Sequence, residues 1–556
     1  MAPTTTVTTL ADDCVDLLFD IEPLWPVIVG IDPARTQLGD VTEEGEARHI
    51  AALERLVERA RALDVAELSD QERVTRDVII DQARARIAQL QSRMVEFTIS
   101  DLFVAPAASL LTLLPMVPVA TPEQGSAQLD RLAAIPAYLD QVAERHRAGV
   151  AAGRTPVAHL VRAAAEHLDR YLAAPGDDPL LRQDPPDSDF ASRRQRLLAD
   201  VVRPAFARYR DVLRSELLEH GRPDDRPGVC HLPDGDAGYA ALVRVHTTTE
   251  RDPGELHATG LDCIERLAEE YAVLGRRVFG TGDLGEIFSR LRTDPALRWR
   301  DADELLDTAR AAITRAEREA PNWFGRIPPQ PWVVEPVPAA EAPGAPAAYY
   351  LQPSVDGTRP GTYFANTHEV TERFRHTSEV TAFHEVIPGH HFQLSTALNL
   401  ADLPLLRRIS DFNAYSEGWG LYTERLADEM GLYSDDVARL GMLSMDSVRA
   451  GRLVVDTGLH AKGWSRQQAI DFLERNTPMA RVEIVAEVDR YIAYPGQALS
   501  YMVGRLEIQR VRAEAERALG ERFDIRAFHD LVLGVGAVPL TVLEDVVRVW
   551  VRDHTR

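Results

Sequence analysis

Residues 381–393 read TAFHEVIPGHHFQ. In the zinc-binding pattern H-E-x-x-H, two histidines stand four residues apart on one helical face, and the glutamate between them activates water. Here His384 and Glu385 are in place, but Pro388 stands where the second histidine belongs, and the next histidines are His390 and His391. On a straight helix, turning about 100° per residue, His390 points well away from His384, while His391 shares its face but lies about 10 Å further along. Neither could then join His384 on one zinc with bonds of about 2.0–2.1 Å. A straight helix is ruled out, because Pro388 lacks an N–H and its ring clashes with the carbonyl of His384. Gly389 permits a tight backbone beside it. A bulge at 388–389 shortens the path and lets His390 swing back beside His384, and such bulges concentrate at functional sites.

The competing reading is a histidine-rich helix end, where imidazoles cap carbonyls and favour the dipole. The downstream stretch SDFNAYSEGWGLYTERLADEMG (410–431) argues for the metal. Glu417 and Glu424 are seven residues apart, on one face of a predicted helix, among Tyr415, Trp419 and Tyr422. That is an apolar setting for carboxylates, which are seldom buried without a partner. A catalytic zinc needs a third protein ligand and an open position for water, and Glu417 is the natural third ligand.

The rest of the chain reads as a soluble, mainly helical protein. Of its 556 residues 45% are hydrophobic and 27% charged, an ordinary globular balance. The formal charge of −24 argues against nucleic acid, whose phosphates require a basic face. Stretches 49–63, 76–94, 127–150 and 193–220 repeat apolar residues at three- and four-residue steps, the last two with internal prolines that should bend or split them. Residues 371–387 show the same helical pattern, leading into the histidines. Stretch 102–120 is long and uncharged, but Pro106, Pro115 and Pro118 make it a buried core or cleft-lining segment rather than a membrane span. The proline-rich break at 327–348 reads as a linker. After it, AYYLQP and GTYFANT flank an Asp-Gly-Thr-Arg-Pro-Gly turn, which predicts a hairpin or a pair of edge strands. Cys14, Cys230 and Cys263 are sparse and form no CxxC pair, and the N-terminus shows no basic segment followed by an apolar core. Both point to a reducing, cytoplasmic setting without a signal peptide.

HEVIPGHHFQ, AYSEGWGLYTE, RLVVDTGLHAKGWS (452–465), RYIAYPGQALSYMVGRLEI (490–508) and FHDLVLGVGAVPLTVLE (528–544) together resemble the bacterial DUF885 family, and DGTRPGTYFANT and the block at 241–267 fit it upstream. The resemblance implies grouping with zincin-type metallopeptidases, similar to helical carboxypeptidases and oligopeptidases that use a glutamate as third ligand. It implies a mainly α-helical, cleft-forming fold with a small β-sheet edging the active site. The expected division is an N-terminal helical half (1–236) forming the scaffold or lid side and a metal-binding half (237–556), joined in one continuous structural unit. The two-residue insertion before His390 departs from those relatives and leaves His391 as an alternative second ligand.

The chemistry expected is zinc-assisted amide hydrolysis, with Zn²⁺ on His384, His390 and Glu417 and Glu385 passing a proton from water to the leaving amine. Tyr501, His460 and Arg505 are candidates to stabilise the oxyanion. Tyr494 is a further candidate at that step or in substrate binding, and Asn366, in GTYFANT, is a candidate for substrate binding. GTYFANT also offers an edge strand on which an extended peptide could pair. Short peptides or small amides are the expected substrates, with neither nucleic acid nor membrane as a partner. The rival readings are an amide hydrolase for a non-peptide or modified-peptide metabolite and a non-catalytic metal-binding scaffold. The intact Glu385 disfavours the scaffold.

Overall fold

Helix boundaries follow the local chemistry of the sequence. Ser69 and Glu72 form a reciprocal capping box at the start of helix Asp70–Gln91, and Thr42 accepts from the Gly45 N–H ahead of helix Glu43–Arg61, whose first turn is acidic and last turn basic. Each arrangement satisfies orphan N–H groups or opposes the helix dipole. The computed structural model describes residues 6–339, 342, 345–354 and 359–555, and most of them are helical. Pro136 is absorbed inside the single helix Pro122–Ala151. Around Pro204 the helix loosens instead into π turns at Leu198–Val202 and Leu213–Leu217.

Two compact units divide the chain. The first comprises Met1–Val245, Leu459–Gln468 and Glu487–Pro495, and the second His246–Gly458, Ala469–Ala486 and Gly496–Arg556. The first unit is discontinuous, taking two later segments besides the run to Val245. Its core gathers Leu110, Leu132, Val142, Leu168, Phe206 and Leu213. The uncharged stretch 102–120 supplies part of that core through Ala107, Leu110, Leu111 and Leu114. No helix among the described residues is long and apolar enough to cross a membrane.

The second unit holds a small sheet of three strands, β1 (Trp332–Pro336), β2 (Ala348–Leu351) and β3 (Gly361–Ala365), in the order β1-β3-β2. The expected hairpin is present, since β2 and β3 pair antiparallel with Tyr350 opposite Tyr363. Its turn at 355–358 lies outside the described residues. Two expectations are corrected. The stretch read as a linker contributes β1, which pairs parallel with β3 from Trp332↔Gly361 to Pro336↔Ala365. Consequently GTYFANT forms the central strand, with both hydrogen-bonding edges taken, and cannot add a peptide strand. Helix Asn413–Glu429 buries Tyr415, Trp419, Leu421, Tyr422 and Leu426, and it packs against helix Ser500–Leu519 where Gly418 meets Gly504.

Candidate metal centre

The helix carrying His384 is shorter than its pattern predicts. It runs only from Ser378 to Glu385, because the preceding segment is drawn off to another strand of chain: Phe374 bridges to Arg298 and the Arg375 N–H donates to the Leu297 carbonyl. It stops at Glu385 ahead of Pro388, as a proline requires. Residues 386–389 then turn back so tightly that a Cβ on Gly389 would lie 1.8 Å from the His384 carbonyl oxygen. Only glycine fits there. The Trp419 indole N–H donates to the Pro388 carbonyl at 3.0 Å and secures the turn from the neighbouring helix. Helix His390–Leu398 begins immediately afterwards, and the His384 and His390 rings stand perpendicular with centroids 4.7 Å apart.

Glu417 closes the group. Its Oε2 lies 3.4 Å from His384 Nε2 and 3.7 Å from His390 Nε2, and one ligand atom from each residue falls within 4.8 Å of the others. Donors on a tetrahedral zinc with bonds of about 2.0–2.1 Å stand roughly 3.3–3.4 Å apart, so the separations suit one ion. His384 is held from two further sides. A Cβ on Gly420 would come within 2.5 Å of its Cε1, and its Nδ1 donates to Glu424 Oε1 at 2.8 Å. That bond leaves Nε2 facing Glu417, the arrangement in which a carboxylate fixes the tautomer of a ligating histidine. Electrostatics agree with a site built for positive charge. Burial alone would lower the His384 pKa, but hydrogen bonds to Glu417 and Glu424 raise it to about 10. Burial would raise that of Glu417, yet the two histidines hold it well below the usual carboxylate range.

His391 is placed elsewhere. Its Nε2–H donates to the Gln330 carbonyl at 3.1 Å, and its Nδ1 accepts from the Tyr350 hydroxyl at 2.7 Å. Burial lowers its pKa to about 4, so it stays neutral. Of the two histidines after the insertion, His390 is the one beside His384.

Glu385 adjoins the group. Burial raises its pKa, and the charges of His384, His390, Glu417 and Arg449 all act on it. No described residue donates a hydrogen bond to it. Tyr350 and Tyr363, cross-strand partners, feel its charge in turn; burial first, then Glu385, raises the Tyr363 pKa. Tyr363 is buried, and its hydroxyl makes no hydrogen bond to any described residue.

The remaining predicted residues are dispersed. Tyr501 stays in the second unit, its ring lying under the guanidinium groups of Arg449 and Arg452 at 5.2 and 4.4 Å. Arg505 is committed to an ion pair with buried Asp446, which also pairs with Arg425, so it is not an available oxyanion donor. His460 belongs to the first unit with both ring nitrogens engaged, Nδ1 accepting from the Val229 N–H at 3.2 Å and Nε2–H donating to the Tyr491 carbonyl at 2.9 Å. It has no proton to offer a substrate. Tyr494 also lies in the first unit, just past helix Arg481–Ala493. Asn366 is fully buried, and its amide donates to the carbonyls of Ala342, Ala345 and Pro346. Its role is to fasten that loop, not to meet a ligand. Sequence reasoning gave no role to Glu424, whose spacing from Glu417 was the available signal, and it passed over Tyr363 and Arg449, for which no local signal exists.

Solved structures that share the fold include two bacterial proteins. One, described as "the putative lipoprotein from Colwellia psychrerythraea", is 27% identical, with a TM-score of 0.89 over 98% of this chain and 99% of that chain. The other, described as "a putative lipoprotein of unknown function from Shewanella oneidensis", is 18% identical, with a TM-score of 0.77 over 98% of this chain and 100% of that chain. Lipoproteins are anchored to membranes outside the cytoplasm, so these neighbours overturn the cytoplasmic assignment drawn from cysteine usage and the N-terminus. Comparison with curated proteins gives no match. The profile for "bacterial protein of unknown function (DUF885)" matches residues 23–547, and with nearly the whole chain covered the protein belongs to that family.

Proposed function

We propose that the protein is a zinc-dependent hydrolase that cleaves amide bonds in short peptides or small amides, akin to the zincin-type metallopeptidases. The observation that carries this reading is the approach of His384, His390 and Glu417 to within single-ion distance with Glu385 alongside. When bound, zinc supplies Lewis acidity toward a water and an amide carbonyl, and imidazole and carboxylate donors suit it. Glu385 takes a proton from the attacking water and delivers it to the departing amine nitrogen. Its carboxylate is free of competing hydrogen bonds among the described residues, as that role requires. Tyr363 donates its hydroxyl to the carbonyl oxygen as negative charge builds there. Glu424 keeps the Nδ1–H of His384 occupied, so that Nε2 is presented to the ion.

Metal analysis of the purified protein, followed by a screen of short peptides with free and blocked ends, tests the reading. One zinc per chain and hydrolysis abolished by chelation are expected. A protein that takes up no zinc, or that is fully loaded yet hydrolyses no amide, would count against it.

A further inference from the structure

Helix Asp436–His460 carries a cation that the chain itself leaves unanswered. Arg425 bridges Asp446 and Glu270, and Arg505 pairs with Asp446. Arg449, one turn beyond Asp446, forms no ion pair or hydrogen bond with any described residue, and its Nε is buried without a partner. In a chain with 86 acidic against 62 basic residues, this is not for want of carboxylates. Its guanidinium instead lies over the Tyr501 ring, Cζ 5.2 Å from the centroid. The fold ties that pair to the metal centre. Tyr501 stands one turn before Gly504, and Gly504 touches Gly418, the residue after Glu417.

An aromatic ring is a stable seat for a guanidinium plane and leaves its N–H edge free. That edge forms paired hydrogen bonds with a carboxylate. We propose that Arg449 receives a carboxylate of the substrate, with Tyr501 as the platform that positions it, and that the substrates are amides bearing a free carboxylate near the scissile bond, as at the C-terminus of a short peptide. This deepens the hydrolase reading and rests on it. It assigns exopeptidase action at the carboxyl end.

The test uses the zinc-loaded protein and three matched acyl-dipeptides: one with a free C-terminal carboxylate, one amidated, and one amidated but carrying an aspartate side chain. The wild type should prefer the free acid over both amides by roughly 10- to 100-fold in kcat/KM, the range of a charged hydrogen bond. Arg449→Gln should bring that ratio toward one while zinc content, read by atomic emission, stays at the wild-type level. Equal cleavage of acid and amides by the wild type, a preference for the aspartate side chain, or a ratio unchanged in Arg449→Gln would overturn the carboxylate assignment and leave the hydrolase reading standing. If the wild type cleaves none of the three, the hydrolase reading fails. Calorimetric binding of the free acid and the plain amide then decides the assignment: tighter binding of the acid that disappears in Arg449→Gln supports it, and equal binding overturns it.

Discussion

His384 is confined on every side: by Glu424 at Nδ1, by Glu417 at Nε2, by the Gly389 turn at its carbonyl and by Gly420 against its ring. Such confinement makes single atoms matter. Gly389→Ala would set a Cβ 1.8 Å from the His384 carbonyl oxygen, so the turn must open. We expect a loss of about 3 kcal/mol or more in stability, read by chemical denaturation, together with a fall in zinc content; wild-type stability and full zinc would show that the turn is not what returns His390. Glu385→Gln should keep zinc and fold but lose hydrolysis by roughly 10²–10⁴-fold, and wild-type kinetics would remove Glu385 from the chemistry. Glu424→Gln should weaken zinc binding by about 10–100-fold in a competition titration with a chromophoric chelator; unchanged affinity would reduce Glu424 to a packing role. At this scale the sequence was informative where the chemistry is local. The proline and glycine of the insertion, read together, predict the return of His390. Residues whose partners are distant in sequence were not legible: nothing near Arg505 announces Asp446, and nothing near His460 announces Val229 or Tyr491.

At the scale of elements, burial of charge couples helix packing to pH. Asp446 is buried between Arg425 and Arg505. Burial alone would raise its pKa, but the two arginines outweigh it and hold the carboxyl below its ordinary value. A depressed folded-state pKa contributes stability that is fully present above the unfolded value, about 3.9, and is lost as pH falls through the folded value. The wild type should therefore lose stability on acidification below about pH 4 more steeply than Asp446→Asn, which lacks that proton uptake; parallel acid limbs in the two proteins would contradict this. The same scale shows why β1 escaped sequence reading. Its strand lies among prolines, and only the parallel partner β3, supplied later in the chain, makes it a strand. The amphipathic helices were legible because their period and their caps are written within one segment.

Across the whole molecule, the groups that would hold zinc all belong to the second unit. An ion that binds only the folded form stabilises by mass action, about 2.7 kcal/mol at one hundred times Kd. Chelation should thus lower the melting temperature in a calorimetric scan, and readdition of zinc should restore it. A Tm indifferent to both would mean that no ion is bound to the native state.

The chain order of these groups has a kinetic consequence. His384, His390 and Glu417 lie within one uninterrupted run of the second unit, whereas that unit is completed only by Ala469–Ala486 and Gly496–Arg556, after excursions into the first. Short loops close at smaller entropic cost, and contacts between near neighbours in sequence form sooner. On the proposed zinc reading, ion capture would then be an early event in folding and a template on which the later segments pack. In refolding from denaturant with cobalt in place of zinc, the visible band of the tetrahedral ion should rise ahead of the near-ultraviolet signal of packed aromatic side chains.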